Sequence, residues 1–130
     1  MIGAIIGDIV GSRFEFGAAP KEGFDLFTED CSYTDDTICT IAIADAVLNG
    51  RDYQDSLLDW CKRYPDPMGG YGTWFDKWLH AEHPQPMNSY GNGSAMRAPF
   101  SSIAIFQGRR EVGVGMLLTT NQGDIMEKQK

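Results

Sequence analysis

Apolar residues recur at helical spacing in four stretches, separated by glycine, proline and acidic turns. In the first, Ile2, Ile5, Ile6, Ile9 and Val10 form one stripe, which predicts a helix over residues 2–13. Gly3, Gly7 and Gly11 recur every fourth residue along it. Each costs about 1 kcal/mol of helix propensity against alanine, so a ridge of three implies a compensating gain, read here as close backbone approach to a neighbouring helix. Continued helical geometry sets Asp8, Ser12 and Glu15 at i, i+4 and i+7, giving one polar face that ends in a carboxylate.

Residues 16–31 read as a loop, with Gly17, Pro20 and Gly23 as breakers and Phe24, Leu26 and Phe27 as anchors. A second helix is predicted over 34–49, stopped by Gly50. Asp52 caps a third over 53–64, with Leu57, Leu58 and Cys61 inward and Pro65 ending it. After a turn-rich loop at 66–72, helical spacing resumes over 73–80 through Trp74, Phe75, Trp78 and Leu79. Those aromatics are assigned to the core, a wall for a stacked ring being the alternative. From Ala98 the pattern changes. Residues 101–106 and part of 111–120 alternate around Gln107-Gly108-Arg109-Arg110, as a β-hairpin would, and 124–130 is a polar tail. No internal repeat interrupts the chain.

The totals narrow the classes. The 130 residues suffice for one small domain with a core and not for two. A hydrophobic share of 42% and a charged share of 22% describe a globular chain rather than a disordered one. A net charge of −7 leaves no basic stripe for a nucleic-acid backbone and nothing to attract an anionic membrane. No apolar run approaches the ~20 residues that span a bilayer. The N-terminus has no basic segment and reaches Asp8 early, unlike a signal peptide, so a cytoplasmic location is expected. Cys31, Cys39 and Cys61 form no CxxC pair and are expected as reduced, mostly buried thiols. His80 and His83 make an HxxH followed by Pro84, better read as surface histidines than as a zinc site.

Two stretches carry candidate chemistry. In Ser32-Tyr33-Thr34-Asp35-Asp36-Thr37, Thr34 suits a helix N-cap, and the two carboxylates fall in the first turn. The helix dipole favours each by about 0.3–1 kcal/mol. That alone makes a well-capped helix; the sharper alternative is a set of hard oxygen ligands held for a cation such as Mg²⁺. In Asn88-Ser89-Tyr90-Gly91-Asn92-Gly93-Ser94-Ala95-Met96-Arg97, a glycine-rich turn exposes backbone N–H groups ahead of a possible helix start. Such a nest, with Arg97 close by, suits a phosphate; an ordinary turn is the alternative.

Three segments in order resemble the ADP-ribosylglycohydrolase family, relatives of dinitrogenase reductase-activating glycohydrolase and the ADP-ribosyl-acceptor hydrolases. They are Gly-Ala-Ile-Ile-Gly-Asp-Ile-Val-Gly-Ser-Arg-Phe-Glu at 3–15, Tyr-Thr-Asp-Asp-Thr at 33–37 and Tyr-Gly-Asn-Gly-Ser-Ala-Met-Arg at 90–97. The resemblance implies an all-α fold, the N-terminal portion of a multi-helix bundle, with a two-metal Mg²⁺ site in a cleft. By it, Thr34, Asp35 and Asp36 are metal ligands, Glu15 is the catalytic glutamate near the scissile bond, and Asp8 supports the site from the first helix. Ser89, Tyr90, Gly91, Asn92, Gly93, Ser94 and Met96 hold the diphosphate and distal ribose of ADP-ribose, and Arg97 braces that loop. The implied activity is Mg²⁺-dependent hydrolysis of the N- or O-glycosidic bond at C1″, releasing ADP-ribose from a modified protein or small acceptor.

The resemblance covers residues 1–97, leaving 98–130 as a divergent segment. The family draws its remaining metal ligands from a C-terminal Asp-x-Asp-Thr/Ser segment; this chain has no Asp-x-Asp, and Pro99 follows Arg97 by two residues rather than three. These departures lead to the expectation of a truncated product, with a shifted reading frame after about Met96. Its Mg²⁺ site would then be incomplete and its exposed apolar surface would favour a homo-oligomer. The alternative function is a catalytically impaired remnant that at most binds ADP-ribose weakly or self-associates.

Overall fold

The computed structural model describes residues 2–17 and 22–85. Four α-helices follow one another, with no strand among the described residues: α1 (Ile2–Gly11), α2 (Asp35–Asn49), α3 (Tyr53–Arg63) and α4 (Thr73–Leu79). A single 3₁₀ turn, Ser12–Phe14, extends α1. The all-α expectation is borne out. The alternating segment at 101–120 lies outside the described residues, as does the expected boundary after residue 97.

The ends of α2 and α3 are set by local chemistry. The Thr34 side chain accepts from the Asp36 backbone N–H, and Gly50 ends α2 in the left-handed conformation (φ 62°), where its N–H reaches the Ala46 carbonyl. The Asp52 carboxylate accepts from the N–H groups of Gln54 and Asp55 to open α3. Side-chain caps of this kind contribute about 1 kcal/mol each.

The core is the α2–α3 contact, joined by Leu79 of α4. Ile38, Cys39, Ala42, Ile43, Ala46 and Val47 of α2 pack with Leu57 and Cys61 of α3. Ala42 and Ser56 are wholly buried, and the Ser56 hydroxyl donates to the Ala42 carbonyl at 2.7 Å. That bond satisfies a buried hydroxyl at no cost to close packing. Outside the core, Asp45 accepts from the Trp60 indole N–H at 2.9 Å and from Arg51 and Asn49. These bonds hold its carboxyl down at about 2, the Trp60 bond contributing most. The three cysteines form no disulfide, Cys39 and Cys61 being buried and Cys31 half-buried.

Four expectations need correction. The stripe on α1 is not a buried one: no α1 residue is buried, and Ile2 and Ile6 are exposed. A Cβ added at Gly3, Gly7 or Gly11 would meet nothing within 4 Å, so no helix backbone approaches that ridge among the described residues. Trp74 stands exposed, while Phe75 and Trp78 pack against the core. The loop anchors Phe24, Leu26 and Phe27 are all exposed, although Phe24 meets Phe14 edge-on, with ring centroids 5.4 Å apart. Periodicity marks which face of an element is apolar and says nothing of what covers it.

Candidate functional site

The polar face of α1 and the start of α2 form one hydrogen-bonded unit. Asp8 Oδ2 accepts from the Thr34 backbone N–H at 3.0 Å and from the Thr37 hydroxyl at 2.5 Å. Its Oδ1 accepts from the Thr34 hydroxyl at 2.6 Å. The same threonine oxygen accepts from the Asp36 N–H at 3.1 Å. One turn along α1, the Ser12 hydroxyl accepts from the Ser32 N–H at 3.0 Å and donates to the Ile9 carbonyl at 2.9 Å. Thr34, Thr37 and Ser12 are buried, so these bonds lie where water competes little and a lost partner costs most.

A cleft of about 710 Å³ opens beside this unit. Asp8, Ser12 and Glu15 reach it from one face of α1 and its 3₁₀ extension, Thr34, Asp35 and Asp36 from the start of α2. The i, i+4, i+7 polar face is therefore real, and Gly7 and Gly11 form part of the same wall. Their missing side chains leave space in the cleft rather than room for a helix.

The opposite edge comes from the loop at 67–70, which the sequence did not single out. Met68 donates its N–H to the Tyr33 carbonyl at 3.1 Å, and Thr34 and Met68 form an isolated parallel bridge. Gly69 and Gly70 follow with φ of 80° and 69°. A Cβ on Gly69 would lie 3.2 Å from Glu15 Oε2 and 3.3 Å from the Phe16 ring. One loop is thus tied to the Tyr33–Thr34 backbone and runs close beside the Glu15 side chain, leaving no room there for a β-carbon. Adjacent glycines behind Pro67 were the available signal, since two successive positive-φ residues demand them.

The electrostatics are one-sided. Among the described residues that line the cleft, none is basic. Asp35 is half-buried and its carboxyl is pushed up to about 6 from an ordinary 3.8. Burial is the largest cause, followed by the negative charges of Asp36, Glu15 and Asp8. Among the described residues no three His, Cys, Asp or Glu side chains converge tightly enough to hold a metal ion by themselves. His80 and His83 are both exposed, His80 bonding only within its own turn to Asp76 among the described residues.

Asp8, Glu15, Thr34, Asp35 and Asp36 therefore come together at one cleft. Ser89, Tyr90, Gly91, Asn92, Gly93, Ser94, Met96 and Arg97 lie outside the described residues. A family model described as ADP-ribosylglycohydrolase matches residues 1–120. The chain belongs to the ADP-ribosylglycohydrolase family. Comparison with curated proteins and with solved structures gave no match. This glycohydrolase-family chain carries no described helix long and apolar enough to cross a membrane.

Proposed function

We propose that this chain is a Mg²⁺-dependent hydrolase that releases ADP-ribose from a modified protein or small acceptor, cleaving the N- or O-glycosidic bond at C1″. One observation carries the reading: in a member of this family, Glu15 and the Thr34–Asp36 cluster face the same acidic cleft.

The residues fit a hard cation. Thr34 offers a hydroxyl oxygen whose proton is already given to Asp8, and Asp35 and Asp36 offer carboxylates. The Asp35 carboxyl is pushed up first by burial and then by the neighbouring negative charges of Asp36, Glu15 and Asp8, and a cation would offset the second of these. Two carboxylates and one hydroxyl suffice only for a weakly held, water-rich ion. A bound Mg²⁺ would supply positive charge for ribose hydroxyls and acidity for a water.

The chain's own residues divide the remaining work. Cleavage passes through an oxocarbenium-like state, in which proton transfer to the leaving atom or from the attacking water assists bond breaking. Glu15 is the group for that transfer, an exposed carboxylate at the end of the 3₁₀ turn that lines the cleft beside Gly69. Asp8 and Ser12 fix the wall that carries it. The loop at 89–96 is proposed to take the diphosphate and distal ribose.

Release of ADP-ribose from ADP-ribosyl-arginine, with and without Mg²⁺, tests the reading. We expect Mg²⁺-dependent release in the wild-type chain and at least a hundredfold less in Glu15→Gln. Equal rates with and without Mg²⁺, or an undiminished Glu15→Gln rate, would refute it.

A further inference from the structure

We propose that Asp8 is a positioning residue that sets the polarity of the Thr34 hydroxyl, so that this oxygen turns a lone pair, and not a proton, toward a cation in the cleft. The proposal rests on the reading of Thr34, Asp35 and Asp36 as the cation's ligands, and deepens it by naming what makes a threonine serviceable there.

The argument is one of donor and acceptor counting. A threonine hydroxyl has one proton and two lone pairs. The Thr34 proton goes to Asp8 Oδ1 at 2.6 Å, and one lone pair receives the Asp36 N–H at 3.1 Å. One lone pair is left, on the side chain of a buried residue that borders the cleft. Asp8 Oδ2 is occupied by the Thr34 N–H and the Thr37 hydroxyl, so the carboxylate is fixed by three donors and cannot rotate away without breaking them. An ionised carboxylate is acceptor-only, which makes the direction of the Thr34 proton unambiguous. Loss of a group that orients a ligand in this way commonly weakens affinity by about 10–100-fold.

Asp8→Asn isolates the effect at nearly constant shape. With its oxygen kept by Thr37 and the Thr34 N–H, the new amide nitrogen faces Thr34 Oγ1 and donates to it. The threonine oxygen then accepts twice, and its proton points into the cleft against any cation. Mn²⁺ binding followed by electron paramagnetic resonance on the full chain, well below the melting temperature, should show at least tenfold weaker affinity in folded Asp8→Asn. Unchanged affinity in a folded variant with a lowered melting temperature would overturn the proposal and leave Asp8 as a structural tie. Absence of Mn²⁺ binding in the wild-type chain would instead defeat the parent reading of the cluster.

A second measurement does not depend on the variant folding. In the wild-type chain, a proton held by a carboxylate exchanges slowly, so the Thr34 hydroxyl should give a persistent NMR signal before and after Mg²⁺ addition. A signal that vanishes on addition of Mg²⁺ would also overturn the proposal.

Discussion

Replacing Asp35 by asparagine should stabilise the cation-free protein while weakening its hold on Mg²⁺. Asp35 is half-buried beside Asp36, Glu15 and Asp8, and its carboxyl sits at about 6 instead of 3.8. At 1.36 kcal/mol per pH unit that difference amounts to about 3 kcal/mol, and solvent screening of a half-exposed group reduces it to about 1–2 kcal/mol. Loss of the favourable charge at the helix N-terminus takes back about 0.3–1 kcal/mol. The net expectation is a gain of about 1 kcal/mol, or roughly 3–5 °C in melting temperature for a chain of this size.

The sign in pH follows from the raised folded value. Below the unfolded pKa Asp35 is protonated in both states and costs nothing. Between pH 3.8 and about 6 the unfolded chain ionises first, and stability falls; above about pH 6 the full penalty stands. The advantage of Asp35→Asn should therefore grow from pH 4 to pH 6 and stay level above. Thermal denaturation in chelator across that range reads the stability, and calorimetric titration with Mg²⁺ at pH 7.5 reads the binding. A plain capping role predicts the opposite first result, a small loss of stability. A variant less stable than wild type at pH 7.5, with Mg²⁺ affinity unchanged, would refute the reasoning.

Other outcomes follow from the same contacts. Gly69→Ala forces a β-carbon into a left-handed backbone 3.2 Å from Glu15 Oε2, so hydrolysis should fall further than Mg²⁺ affinity when both are measured. Leu57 is fully buried in the α2–α3 core, and Leu57→Ala should cost about 2–5 kcal/mol in urea denaturation. The depressed Asp45 carboxyl contributes stability that is present above its unfolded pKa of 3.8 and lost as pH falls toward about 2; acid titration of Asp45→Asn should lack that loss. The exposed Ile2, Ile6, Phe16 and Trp74 side chains are consistent with self-association, and light scattering should then report a dimer or larger, a monodisperse monomer speaking against it.

Local chemistry was the legible part of this sequence. Thr34, Gly50 and Asp52 punctuate α2 and α3 because each satisfies or frees backbone groups within a few residues of itself. The same reasoning placed Asp8, Ser12 and Glu15 on one face, and the structure turns that face to the cleft. Contacts distant along the chain were not legible. The glycine ridge of α1 was explained by helix packing, whereas Gly7 and Gly11 border open space. The grip of the 67–70 loop on Tyr33 and Thr34 depends on a backbone path that two positive-φ glycines permit but do not announce. Trp74 and Phe75 sit side by side in one apolar helical pattern, and only the packing of α4 separates the exposed ring from the half-buried one.

The account stands on a cation held by the start of α2, across the cleft from Glu15. Crystals of the wild-type chain soaked in Mn²⁺ and measured for anomalous scattering test it most directly. The account predicts a peak within about 2.5 Å of oxygens from Thr34, Asp35 and Asp36. A cleft without a peak at saturating Mn²⁺, or a peak bound only elsewhere on the molecule, would contradict it.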